Sequence, residues 1–233
     1  MCIRDRRTLR RILPLLEAAG RDTLRPPWSR SRQRGRSLEE VLQDVPELAV
    51  IIDSFEQAVQ RPKRPTKDTK EKKPPDAFYS GKKKQHTLKS QVAVNRHNGT
   101  IGDVSQSVPG PTADLSLLKQ SGLLERLDPD VGAWGDLAYL GLQQLHPQGQ
   151  GAILPRGHPR RKPRGQERPP QDREFNQAFA RHRVQVEHTI GRLRHYQALR
   201  QTDRHHRQNH TQRVVVVAGL VNRQISARFP SRT

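Results

Sequence analysis

The chain has 233 residues, of which 32% are hydrophobic, 4% aromatic and 18 in number are prolines, so one buried core with a large share of loop is expected, and two full domains are not. Its formal net charge of +20 is spread over several regions and selects a polyanion as partner, nucleic acid first, because each neutralised phosphate releases a counterion. The lone Cys2 excludes an intrachain disulfide and a multi-thiolate zinc site, and no apolar run nears the roughly 20 residues that span a bilayer, so a cytoplasmic, nucleoid-associated protein with no membrane partner is expected.

In chain order, residues 7 to 19 predict a short basic helix broken by Pro14, and the Arg/Pro/Ser stretch from Arg21 to Arg36 reads as linker. Ser37-Leu38-Glu39-Glu40 has the capping-box spacing and predicts a brief helix to about Gln43, ended by Pro46. Leu48-Ala49-Val50-Ile51-Ile52 is a continuous apolar run, the pattern of a strand buried on both faces, with Asp53 at its exit. After a lysine- and proline-rich loop from Arg61 to Asp76, residues 86 to 94 alternate as a strand, and Asn98-Gly99 turns the chain back through Thr100 to Ser105.

Pro109-Gly110-Pro111 stops that hairpin, and Thr112 is placed to cap a helix from Ala113 to Leu127. A short strand over Val131 to Trp134 precedes Asp136, and Ala152-Ile153-Leu154 has the composition of another. The longest helix runs from about Arg173 to Leu199, and the apolar run Val214 to Val221 fits either a strand or a helix. This order predicts an α/β mixed sheet with helices packed on it, divided into a basic N-terminal segment, residues 1 to 45, and a main domain, residues 46 to 228.

Three acids stand out from this layout. Taken singly, Asp53 is an acid after an apolar run, Asp136 a turn aspartate and Glu187 a mid-helix acid beside Arg183. Taken with the topology, two strands that each end in aspartate bring Asp53 and Asp136 to neighbouring strand ends, and the late helix lays Glu187 across them. Converging carboxylates repel unless a dication neutralises them, which is the condition for a Mg²⁺ site. Asp114 sits in a first helical turn, where the helix dipole alone favours an acid, and is a possible additional acid of the site. His205, His206 and His210 show no recognised ligand spacing.

Several blocks then carry a resemblance: Ile52-Asp53-Ser54-Phe55-Glu56, Tyr79-Ser80-Gly81-Lys82-Lys83-Lys84-Gln85-His86, Pro109-Gly110-Pro111-Thr112-Ala113-Asp114, Gly135-Asp136-Leu137-Ala138-Tyr139, Arg183-Val184-Gln185-Val186-Glu187-His188-Thr189-Ile190-Gly191-Arg192, and Ala218-Gly219-Leu220-Val221-Asn222. In this order, over residues 37 to 225, they resemble the DDE transposases of bacterial insertion sequences, in the Harbinger-like branch. The sequence departs from that pattern at Ser54-Phe55, where Gly-Thr is usual, at Ala180 in the place of a tyrosine, and at Arg194 in the place of a lysine. The resemblance implies an RNase H-like fold and an amino-terminal DNA-binding helical region that is cut short, with residues 1 to 45 as a partly helical or disordered remnant. It also implies DNA cleavage and strand transfer at element ends by Asp53, Asp136 and Glu187, holding two Mg²⁺ or Mn²⁺ ions in a homo-oligomer on double-stranded DNA.

Lys82, Lys83, Lys84, His86 and Lys89 on the hairpin, with Arg183 and Arg194 flanking Glu187 along its helix, are the candidate DNA contacts. A nuclease-only or inactive remnant would share this fold. A non-enzymatic basic nucleic-acid binder would instead present aromatic stacking residues, and the chain has only 5 Phe, 3 Tyr and 2 Trp.

Overall fold

The computed structural model describes residues 3–24, 49–61, 75–127, 131–146 and 164–228. The expected capping-box helix near Ser37 and the strand at Ala152 to Leu154 lie outside the described residues.

The sheet is built on two long strands. β1, Ala49–Ala58, pairs antiparallel with β3, Gln85–Asn95, from Val50 opposite Asn95 to Ala58 opposite Thr87. On the other edge of β3 lie three short strands, β2 (Tyr79–Ser80), β4 (Ile101–Val104) and β5 (Val108–Pro109). β6, Gly132–Trp134, adds in parallel to the free edge of β1, with Ile51 opposite Trp134. The sheet is therefore mixed, as expected, with the order β2-β3-β1-β6.

β1 runs on through Ala58, so Asp53 lies mid-strand and not at a strand exit. The polar second half of the strand is held by side-chain partners from distant parts of the chain: Thr87 Oγ1 donates to Glu56 Oε2 at 2.7 Å, and Gln57 donates to the carbonyls of Ala198 and Gln201 at 2.9 and 2.8 Å.

Helices cover both faces. Toward one, Val50, Ile52 and Ala93 pack with Leu118, Leu123, Val131, Tyr139 and Leu142, contributed by α2 (Asp114–Ser121), α3 (Leu123–Arg126), β6 with its flanks, and α4 (Leu142–Leu145). The single helix expected from Ala113 to Leu127 is thus two, parted at Gly122. Thr112 does not cap it; its hydroxyl donates to the Pro109 carbonyl at 2.7 Å. Toward the other face, Ile51, Phe55, Val92 and Val94 meet α5 (Pro170–His195) and α7 (His210–Arg228), with the short α6 (Gln197–Arg200) between them. The ambiguous run at Val214 to Val221 is helical, and Val214 to Gly219 are all buried because α7 packs between the sheet and a further helix.

That further helix is α1, Ile3–Arg21, which continues through Pro14 instead of breaking there. Interrupting a helix ladder with proline costs about 3 kcal/mol; tertiary contacts with α7 offset it. Gly20 and Gly219 touch so closely that a Cβ on Gly219 would come within 2.4 Å of the Gly20 Cα. Asn222 on α7 donates to the carbonyls of Thr23 at 3.0 Å and Ile101 at 2.8 Å while accepting from the Ile101 amide at 2.7 Å, so one buried amide ties α1, α7 and β4 together. None of the described helices is long and apolar enough to cross a membrane.

Candidate active site

The parallel pairing of β1 with β6 sets the central geometry. Ile51 stands opposite Trp134; two residues further along each chain come Asp53 and Asp136, one on the strand and one on the loop that leaves its neighbour. Gly135 makes the loop possible, since a Cβ there would lie 2.6 Å from the ring of Tyr139 folded beneath it. Asp136 then caps the single turn Leu137–Tyr139, accepting from the Ala138 amide at 2.8 Å, which fixes the carboxylate's direction.

Asp53 is four-fifths buried, its side chain 18% exposed. Its Oδ1 accepts from the Ser54 amide at 2.8 Å. Burial pushes its carboxyl up from 3.8 to about 6 against the Ser54 amide and Arg183, which lower it, and the charges of Asp136 and Asp114 raise it further. The three aspartates therefore share one electrostatic neighbourhood. The Tyr139 hydroxyl reports the same grouping: burial first, then Asp114, Asp53 and Asp136, drive its ionisation far up, and the neutral phenol reaches Gln91 Oε1 at 3.3 Å.

Glu187 arrives from α5. Phe179, Val186, Ile190 and Leu193 form the buried stripe of that helix; at 3.6 residues per turn Arg183 falls on the stripe's edge and Glu187 one step outside it. Accordingly the Arg183 side chain is 20% exposed and that of Glu187 is 59% exposed. Arg183 Nη2 lies 3.4 Å from Asp53 Oδ2 and 3.9 Å from Glu187 Oε1, so a single guanidinium links the two acids. Its Nε is buried without a hydrogen-bond partner. The structure thus sets Asp136 and Asp114 within electrostatic reach of Asp53 and holds Glu187 at the rim through Arg183. Among the described residues, no three His, Cys, Asp or Glu side chains stand close enough to share one metal ion as they are.

Asp114 faces the site from the N-terminus of α2, on the opposite side of β1 from Arg183. Ser54 Oγ donates to its Oδ1 at 2.6 Å, and Lys89 Nζ lies 2.9 Å from the same oxygen while donating to the Thr112 carbonyl at 2.6 Å.

Two of the expected DNA contacts are placed otherwise than on an exposed hairpin surface. Lys89 is buried, 8% exposed, with its ammonium consumed by Asp114 and Thr112, because its strand position points into the sheet's covered face. His86 turns its ring edge-on to Tyr79, centroids 5.6 Å apart, with Nε2 buried. Lys82, Lys83 and Lys84 are exposed in the turn between β2 and β3, and Arg194 is exposed two helical turns beyond Glu187. Ser54, Gln91 and Tyr139 were not singled out from sequence as site residues. For Tyr139 the only signal was its place three residues after Asp136 beside a glycine, and for Ser54 its place next to Asp53.

Residues 52–222 match the DDE superfamily endonuclease family, which covers the central strand, the aspartate loop and the Glu187 helix. Among curated proteins, the chain is 26% identical over 179 residues to the "Probable transposase for insertion sequence element IS702" of Microchaete diplosiphon, a match covering 77% of this chain and 58% of that relative. The chain accordingly aligns to little more than half the length of the curated relative it matches. No solved structure matches it significantly. With a family match running from the residue before Asp53 to Asn222 on α7, the chain belongs to the DDE superfamily endonucleases.

Proposed function

We propose that this chain is a DNA transposase that cuts and joins phosphodiester bonds at the ends of an insertion sequence, with Asp53, Asp136 and Glu187 as the metal-holding carboxylates. The observation that carries this reading is that Asp53 on β1 and Asp136 on the loop leaving β6 both lie two residues past the last parallel pair, Ile51 and Trp134, while Arg183 links the Glu187 helix to Asp53. The donor set fits a hard divalent cation. It is made of oxygens only, and the buried Asp53 carboxyl, with two further acids opposing its ionisation, is a group that a dication would restore to the charged form.

Asp53, Asp136 and Glu187 would hold two Mg²⁺ or Mn²⁺ ions, with Asp114 outside the set because Lys89 neutralises it. The chemistry such ions would supply is a lowered pKa for the attacking water or 3′-hydroxyl and charge neutralisation at the leaving oxygen of an in-line displacement. The chain's own residues supply the geometry. The Ser54 and Ala138 amides aim the carboxylates of Asp53 and Asp136, and the rim position of Glu187 leaves its carboxylate free to turn inward. Arg183, with an uncommitted Nε, can pass from Asp53 to a substrate phosphate. Lys82, Lys83, Lys84 and Arg194 contribute backbone contacts to double-stranded element ends and target DNA, bound by a homo-oligomer.

The test is to incubate the protein with labelled duplex carrying its element ends in the presence of Mg²⁺. Nicking and joining are expected from the wild type and neither from Asp53→Asn, Asp136→Asn or Glu187→Gln. Equal products, or equal lack of products, from wild type and variants would overturn the reading; nicking without joining would reduce it to a nuclease.

A further inference from the structure

A second feature lies further along the strand that carries Asp53. Beyond Phe55 on the same face, Gln57 forms the floor of a cavity of about 540 Å³, closed by the segment that follows α6 and by the first turn of α7. Four residues of strand put Gln57 about 13 Å from Asp53, and the Lys82 to Lys84 turn begins just past Val59, about 20 Å from Asp53 in the same direction. The cavity therefore sits between the carboxylates and the lysine turn along one line of the sheet.

Its wall is polar and held in place. Gln57 Oε1 accepts from His210 Nε2 at 2.9 Å, and its Nε2 donates to the carbonyls of Ala198 and Gln201. Asp203, the only acid lining the cavity among the described residues, is already paired with Arg213, and its Oδ1 accepts from the His205 amide at 2.9 Å. Arg213 leaves its Nε buried without a hydrogen-bond partner. Arg204 and His205 stand exposed at the mouth, with no side-chain partner among the described residues. With Asp203 and Arg213 cancelling each other, Arg204 is the remaining cation of the described lining, beside the donor groups of Gln197, Gln201, Thr202 and His205, a composition suited to a phosphate group.

We infer that this cavity seats a backbone phosphate of the DNA strand that runs from the carboxylates toward the lysine turn, a contact that rests on the DNA-cleaving reading above. It is a positioning site: at about two phosphates' distance from Asp53 it sets where along the strand the scissile bond falls, and it takes no part in the bond exchange.

The experiment compares wild type, Arg204→Ala and, as a control remote from the cavity, Arg223→Ala on the exposed C-terminal part of α7, measuring binding of labelled element-end duplex by anisotropy across a salt series. Losing one phosphate contact should weaken binding by Arg204→Ala about 5- to 20-fold and lower its salt slope by about one, with Arg223→Ala near wild type. In parallel, the thermal shift produced by inorganic phosphate over chloride at equal ionic strength separates a free anion from the DNA backbone. If wild type binds duplex and Arg204→Ala matches it in affinity and slope, the inference is overturned while the transposase reading stands. A phosphate shift that needs Arg204 while duplex binding does not would likewise overturn it, as a site for free phosphate. Failure of wild type to bind duplex at all would overturn both.

Discussion

Replacing Asp53 by asparagine should make the protein more stable while abolishing its chemistry, and the size of the gain follows from the site. Burial, reinforced by Asp136 and Asp114, lifts the Asp53 carboxyl from 3.8 to about 6. At about 1.36 kcal/mol for each tenfold change in the proton equilibrium, holding this group ionised in the fold costs about 3 kcal/mol. The sign follows from linkage: a carboxyl whose folded value is raised contributes its full stability below 3.8 and loses it as pH rises through about 6. At pH 8 the wild type bears the whole cost, whereas asparagine, nearly the same shape and able to accept from the Ser54 amide, bears none. For a chain of this size that corresponds to a melting temperature about 6–12 °C higher for Asp53→Asn at pH 8, shrinking toward zero at pH 4. Calorimetry at the two pH values measures it; because His210 and the other titrating groups are common to both proteins, the difference isolates position 53. Adding Mg²⁺ at pH 8 should close part of the gap by stabilising only the wild type. A variant no more stable than wild type at pH 8, or an advantage that persists undiminished at pH 4, would refute the argument that charge at this site is held against the fold.

Three further outcomes are expected. His210 is buried between Gln57 and Ser107, and burial, then Arg213, lowers its pKa from 6.5 to about 4; stability present above pH 6.5 should therefore fall by about 3 kcal/mol as pH drops toward 4, and denaturation of His210→Gln should lack that slope. Gly135→Ala drives a Cβ into the Tyr139 ring, which should cost about 1–3 kcal/mol and, by displacing the Asp136 loop, lower nicking more than the loss of folded protein explains; circular dichroism and activity on one sample separate the two. Lys89→Met leaves Asp114 without its cation and should destabilise by about 3 kcal/mol, whereas Lys89→Met with Asp114→Asn should recover most of that loss in urea denaturation, the coupling a double-mutant cycle reads.

What the sequence made legible and what it did not divides along one physical line. Local pattern found the apolar half of β1, the Asn98-Gly99 hairpin and the long helix of Glu187, because each is written in consecutive side chains. It missed the second half of β1 since Glu56 and Gln57 look solvent-facing until Thr87, 31 residues on, and His210, 153 residues on, supply their partners. Pro14 read as a break because the compensating contact, Gly20 on Gly219, lies across the whole chain, and Val214 to Val221 had no readable period because α7 is covered on two sides. The acids show the same division. Asp53 and Asp136 were visible as polar residues after apolar runs, but nothing local shows that Lys89 turns inward to Asp114 instead of outward to DNA.

The site's charges are sorted, so that in a chain with twenty surplus positive charges Asp53 and Glu187 share one guanidinium. Lys89 takes Asp114, and Arg213 takes Asp203; each is a buried pair in which removing one partner would strand the other. Among the described residues, the cation paired with these carboxylates is Arg183, shared between Asp53 at 3.4 Å and Glu187 at 3.9 Å, while Asp136 accepts from the Ala138 amide. A fold optimised for stability would pair or replace these acids, as the expected gain from Asp53→Asn implies. Acids placed beside a cation that can change partners are what a site requires if it is to exchange part of its own ion pairing for metal and phosphate, and so a charge that the fold holds at a cost is also the one on which the proposed chemistry depends.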